Sequence, residues 1–245
     1  MPSRARLDVK RLIALIACVV LGVAAWELPF LTPLKLLAVA GHETGHALAS
    51  LIVGGSVNQI HIAADQSGDC LSMIPDGYFA RVIVSSGGYV GAAIIGALLL
   101  LLTFRLNWGK RMLGVAAVWL TLIALLYGRD LFTLGFCLGM AALFAAGAKF
   151  LPNDVAASVN LFIASFTALY SVMDLKDDLW NSAVRGQSDA AILASTSHIP
   201  AVFWALVWTV MSLGIVGYGA YLALKRTAPR DPLAALRDLP LRRST

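Results

Sequence analysis

Long apolar runs, each about as long as a bilayer's hydrocarbon layer is thick, dominate this chain. A helix needs about 20 predominantly apolar residues to cross that layer. Runs of this kind cover residues 12–26, 31–53, 79–104, 112–127, 131–148, 155–173 and 201–224. Hydrophobic residues make up 59 % of the 245 positions and charged ones 13 %, against roughly 25 % charged in a soluble domain. Too little polar surface remains to coat a water-facing globule, which excludes a soluble enzyme, a disordered tail and a coiled coil. The expected fold is an all-α polytopic membrane protein with six or seven transmembrane helices.

The connections add detail. After the second run, Val57-Asn58-Gln59-Ile60-His61-Ile62 alternates partly in strand fashion, Asp65-Gln66-Ser67-Gly68-Asp69 carries turn chemistry, and residues 70–74 form a return strand. A short β-hairpin at the membrane surface is predicted there. Gly128-Arg129-Asp130 alone separates two runs, so they form a tight hairpin or one broken element. A polar connection leads from the sixth run to Ser197, and Pro200 opens the last helix. The first run reads as an uncleaved anchor rather than a signal peptide, because another apolar run follows at once. Residues 1–224 then form one transmembrane domain and 225–245 a basic tail.

The net charge of +5 does not make a nucleic-acid surface. Basic residues sit at Arg4, Arg6, Lys10 and Arg11, at Arg105, Lys110 and Arg111, and in the tail. They flank apolar runs, where such side chains sort topology and meet anionic headgroups of the lipid bilayer. Both termini therefore favour the cytoplasm, which requires an even number of crossings. Three complete early spans would put the 105–111 loop on the opposite side. Cys18, Cys70 and Cys137 are scattered and imply no disulfide framework.

Within the second run lies Gly41-His42-Glu43-Thr44-Gly45-His46. Its core is H-E-x-x-H, and on a helix the i, i+4 spacing puts both imidazoles on one face, where both reach a single ion. Glu43 stands where it can accept a proton from a water activated by that ion. Catalytic zinc usually keeps three protein ligands and one open position. The chain has four histidines, two of them here, and its only glutamates are Glu27 and Glu43. Ionisable groups at mid-bilayer cost at least roughly 2.5–3.5 kcal/mol each on insertion scales, so their presence points to function rather than to helix packing.

A third ligand must come from elsewhere. Asp174, Asp177 and Asp178 end the sixth run at spacings of three and four and share a face if the helix continues. Asp174 follows the apolar Leu169-Tyr170-Ser171-Val172-Met173 and is the most deeply inserted, which makes it the favoured ligand, with Asp177 and Asp178 read as a solvated helix end. His61 is read as a surface residue of the hairpin, and for His198, just before Pro200, helix capping and interface roles compete with function. Glu27 faces the headgroups, and Trp204 and Trp208, one turn apart, are packing or interfacial residues.

With these residues in view, the chain resembles the site-2 protease family of intramembrane zinc metalloproteases, and most of all its compact bacterial branch related to a sporulation protease. The resemblance rests on His42-Glu43-Thr44-Gly45-His46, on the Gly54-Gly55-Ser56-Val57 exit into a hairpin, on Ser86-Gly87-Gly88-Tyr89-Val90-Gly91, and on Met173-Asp174. Leu175 stands where the family has a glycine after the aspartate, and no Asn-Pro pair precedes it. The stretch from Ser188-Asp189 to Trp208 resembles a feature of an uncharacterised subgroup of such peptidases. The resemblance implies one zinc per chain on His42, His46 and Asp174, with Glu43 as general base. It also implies a membrane-protein substrate whose transmembrane helix unwinds, and a hairpin that holds the unwound segment by strand addition. The setting it suggests is a prokaryotic plasma (inner) membrane. The competing readings are a metal transporter using the same three residues and an inactive peptidase-like scaffold.

Overall fold

The computed structural model describes residues 7–180 and 188–225, apart from the side chains of 171, 172 and 174–180. Two helices, α1 (Val9–Ala24) and α2 (Thr32–Ile52), precede an antiparallel hairpin of β1 (Ser56–Ile62) and β2 (Gly68–Met73). Then follow α3 (Tyr78–Arg105), α4 (Gly109–Leu122), α5 (Leu131–Phe150), α6 (Asn153–Trp180), α7 (Asp189–Ser197) and α8 (Ala201–Leu224). A π-helical turn, Ile123–Tyr127, continues α4. Asp8 caps α1 by accepting from the Arg11 amide, Asp130 caps α5 by accepting from that of Thr133, and Pro33 sits in the first turn of α2. The basic tail expected at 225–245 lies, beyond Lys225, outside the described residues.

Among the described residues, α3, α4 with its π turn, α5 and α8 are each long and apolar enough to cross a membrane. Helix α1 has only 16 residues, and Lys35, His42, Glu43 and His46 dilute the hydropathy of α2. The outer face of α8 exposes Val202, Phe203, Leu206, Val210 and Leu213. An apolar surface of that extent is stable against lipid rather than water, so the chain is an integral membrane protein.

The helix ends sort into two groups. At one end the Asp8 amide donates to Leu224 O (2.9 Å), Arg105 Nη1 to Lys225 O (3.4 Å), and the Arg11 guanidinium lies 4.7 Å from the Phe104 ring centre. Lys110 joins Asn153 and Lys149 there, its amide donating to Asn153 Oδ1 (3.0 Å) and its Nζ to Lys149 O (3.2 Å). The start of α1, the end of α3, the start of α4, the ends of α5 and α8 and the start of α6 thus share one basic end. At the other end the hairpin packs on the start of α5. Since α1 begins and α3 ends at the basic end, α1 and α2 together make one net passage. The turn between them is docked on α6 by the half-buried Trp26, which stacks on Phe166 at 5.5 Å beneath the Lys35 ammonium, 4.6 Å from its ring, while residues 27–30 are exposed.

Small residues let α2 and α3 touch backbone to backbone. A methyl group on Gly45 would run into the Gly87 carbonyl, and one on Gly91 would stand 2.8 Å from the Gly45 Cα. Close contact of this kind gains dispersion where the hydrophobic effect gives nothing between helices. The hairpin pairs Ser56 with Met73 through to Ile62 with Gly68, with a register shift between Val57 and Gln59. It buries Ile60 and Ile62 against the bundle. Its far end is tied down by Thr133: the Ile62 amide donates to Thr133 Oγ1 (2.9 Å), and that hydroxyl donates to Asp130 Oδ2 (2.7 Å).

Candidate metal centre

His42 and His46 lie on the face of α2 that meets α3, as the i, i+4 spacing dictates. Their Nε2 atoms are 2.9 Å apart. Asp189 Oδ2, from the first turn of α7, completes a triangle at 3.1 Å from His42 Nε2 and 3.0 Å from His46 Nε2. Among the described residues this is the one group of three or more His, Cys, Asp or Glu side chains arranged to hold an ion. Asp174 falls within α6, which continues to Trp180, but its side chain and those of Asp177 and Asp178 lie outside the described residues.

The chemistry of these three atoms fits a cation. His46 Nδ1 is 2.7 Å from the Val84 carbonyl. A carbonyl only accepts, so Nδ1 carries a hydrogen, and in the neutral tautomer the Nε2 lone pair is the one that faces Asp189. A lone pair and a carboxylate oxygen 3.0 Å apart repel unless a proton on Nε2 or a metal ion sits between them. The Val84 contact is also the kind of outer hydrogen bond that fixes the tautomer of metal-binding histidines. Ligands on a tetrahedral zinc stand about 3.3 Å from one another, given bond lengths of about 2.0–2.1 Å, and the observed spacings are close to that.

Glu43 is buried at 5 % exposure. Its Oε1 faces the first residue of β2, since a methyl group built on Gly68 would lie 3.0 Å from it and 2.6 Å from Val39 Cγ1. Glu43, both histidines and Asp189 line a single cavity of about 700 Å³. The cavity is roofed by Gln66–Cys70 of the hairpin and extends past Asp76 and Arg81 on one side and Ile192 and Thr196 of α7 on the other. Burial, reinforced by the Glu43 and Asp69 carboxylates, pushes the Cys70 thiol up to about 12, so without a metal this cavity cysteine is a neutral thiol. Beneath the roof's anchor, partial burial works against ionisation of Asp130, yet the hydrogen bonds from Thr133 hold its carboxyl below the ordinary range.

His61 pairs with Asp69 across the hairpin (3.7 Å) and stands apart from the triangle. His198 ends α7 in the left-handed conformation at φ 58°, a capping position. Trp208 is a packing residue with a consequence: buried at 1 % exposure, it donates to Ser86 Oγ (2.9 Å) and stacks on Tyr89 at 5.5 Å. Tyr89 in turn meets the His42 ring edge-on at 4.6 Å. The residue absent from the candidate ligands by sequence alone is Asp189. Its local signal is Ser188, whose Oγ accepts from the Ala191 amide (3.3 Å) and caps a helix where a polar connection was expected.

Comparison with curated proteins and with solved structures finds no match. A family model described as Peptidase M50B-like matches residues 15–219, which include α2, the hairpin and α7. With that match running across most of its length, the chain belongs to the M50B-like peptidases, and so to the site-2 protease family of membrane peptidases.

Proposed function

We propose that this protein is an intramembrane zinc metalloprotease in which His42, His46 and Asp189 hold the metal and Glu43 is the general base. The observation that carries the reading is the triangle of Nε2, Nε2 and Oδ2 atoms at 2.9–3.1 Å, beside a buried glutamate in one cavity. Zinc, when bound, supplies Lewis acidity that polarises the scissile carbonyl and acidifies water. Glu43 takes the proton of the attacking water and delivers it to the departing amine nitrogen. Val84 and Tyr89 hold the two imidazoles in place, so little reorganisation accompanies the reaction. The substrate is a transmembrane segment of a membrane protein, unwound before its backbone reaches the cavity, because helical carbonyls are already hydrogen-bonded. The hairpin roof is the element placed to hold such a strand.

The bundle makes six net crossings, with α1 and α2 counted together, of a membrane we take to be the plasma membrane of a prokaryote. Glu43→Gln tests the chemistry. It is isosteric and removes only the base, so zinc content stays at one per chain while new peptide N-termini from membrane proteins, compared by N-terminal labelling of membranes with and without the variant, disappear. A Glu43→Gln chain that still cleaves would exclude this mechanism. Retained zinc with retained cellular function and no cleavage by either form would point to transport.

A further inference from the structure

We propose that Gly88 of α3 is the position that keeps the metal face of this site open, so that a hydrogen atom, and nothing larger, is required there for an ion to bind; this rests on the metal centre proposed above. A Cβ built on Gly88 would collide with His42 Nε2 and lie 2.5 Å from both His42 Cε1 and His46 Nε2. Carbon and nitrogen in van der Waals contact stay more than about 3 Å apart, whereas zinc bonds to imidazole at about 2.0–2.1 Å. The point a methyl carbon would take is thus close to both ligand nitrogens at nearly coordination range.

Both rings are held in place by α3. His46 is fixed through Nδ1 by the Val84 carbonyl, one turn before Gly88 on the same helix. His42 is fixed edge-on by Tyr89, which is clamped by the buried Trp208, itself bonded to Ser86. Residues 84, 86, 88 and 89 of α3 therefore act as one floor: three of them hold the imidazoles and Gly88 leaves the gap between them. The role differs from that of the neighbouring small residues. A methyl on Gly87 would meet Ala49 Cβ at 2.7 Å and one on Gly91 the Gly45 Cα at 2.8 Å, both helix-packing contacts remote from the ligand nitrogens.

The test compares Gly88→Ala with Gly91→Ala in the purified full chain, using zinc alone as the probe. Zinc per chain, chelator competition and the visible absorption of the cobalt(II) form are read together. The expected result is zinc affinity at least about a hundredfold weaker in Gly88→Ala, with no tetrahedral cobalt spectrum, while Gly91→Ala keeps both despite crowding the same helix pair. Should Gly88→Ala bind zinc like wild type, or Gly91→Ala lose it equally, the role assigned to Gly88 falls and the metal centre stands. A wild-type chain that takes up no zinc would instead overturn the metal centre and this inference with it. A stability cycle covers poor folding of the variant: Gly88→Ala should lower the thermal midpoint of the metal-free chain when both histidines are present and be neutral in a His42→Ala/His46→Ala background. An equal loss in both backgrounds would show a clash with backbone and overturn the proposal.

Discussion

Asp189 is the residue on which the site turns. It stands 147 positions from His42 and 143 from His46, yet its Oδ2 is as near to each Nε2 as they are to one another. Removing one of the three proposed ligands leaves two imidazoles with no anionic partner, and a carboxylate that would neutralise part of a bound ion's charge is lost with it. Asp189→Ala should therefore strip zinc from the purified chain, with affinity at least about a hundredfold lower, while Asp174→Ala retains about one zinc per chain. Zinc analysis of both variants decides it, and the reverse pattern would return the third ligand to α6. The two histidines were legible in sequence because helical geometry alone brings i and i+4 together. Asp189 was not, because nothing local to residues 186–192 encodes which distant helix it will meet. The cluster at 174–178 was the one sequence offered, an acidic group next to an apolar run, since sequence shows depth along a helix but not which neighbour a helix faces.

At the scale of elements, the hairpin was readable from its alternation and turn residues, and α2, α3, α5 and α8 from the length of their apolar runs. Helix α7 was not, since nine residues in Asp189–Ser197 bury only Ala190 and Leu193 and show little periodicity. Nor was the anchor of the hairpin. Thr133 is fully buried and its hydroxyl serves two partners, accepting from the Ile62 amide and donating to the Asp130 carboxylate. Thr133→Val keeps the shape but leaves the Ile62 amide unpaired, at a cost of about 1–3 kcal/mol. We expect hydrogen exchange at the Ile62 end of β1 to quicken by roughly 5–150-fold, with zinc content unchanged because no metal ligand lies on the hairpin. Exchange at wild-type rates would show that the strand is held by its apolar face alone; zinc lost together with the anchor would show that the roof and the metal centre form one cooperative unit.

Across the whole molecule, the charge pattern and the packing give one arrangement. A chain with basic residues at both termini and in the 105–111 loop seemed to need two incompatible parities if α1, α2 and α3 each crossed completely. In the folded bundle, Lys10, Arg11, Arg105, Lys110, Arg111, Lys149 and Lys225 flank the same end, because α1 starts and α3 ends there, so that α1 and α2 advance the chain once between them through a turn that the half-buried Trp26 packs on α6. Apolar length is a property of each run, whereas the number of crossings depends on where a turn sits in depth, so the first was legible and the second was not. From the bias of Lys and Arg towards one end, we propose that this end faces the cytoplasm. In that orientation the hairpin, whose residues Gln66–Cys70 line the cavity, lies on the other side. In a background with Cys18, Cys70 and Cys137 replaced, a cysteine at Asn107 should react with a membrane-impermeant maleimide only after the membrane is opened. A cysteine at Asp65, on the exposed turn, should react in intact cells. Reaction of both from the same side would mean that α3 does not carry the chain across and that the site cannot lie where the bundle puts it. Reaction of Asn107 alone from outside would keep the architecture but invert it, leaving the cavity open to the cytoplasm and restricting substrates to segments that present themselves from that side.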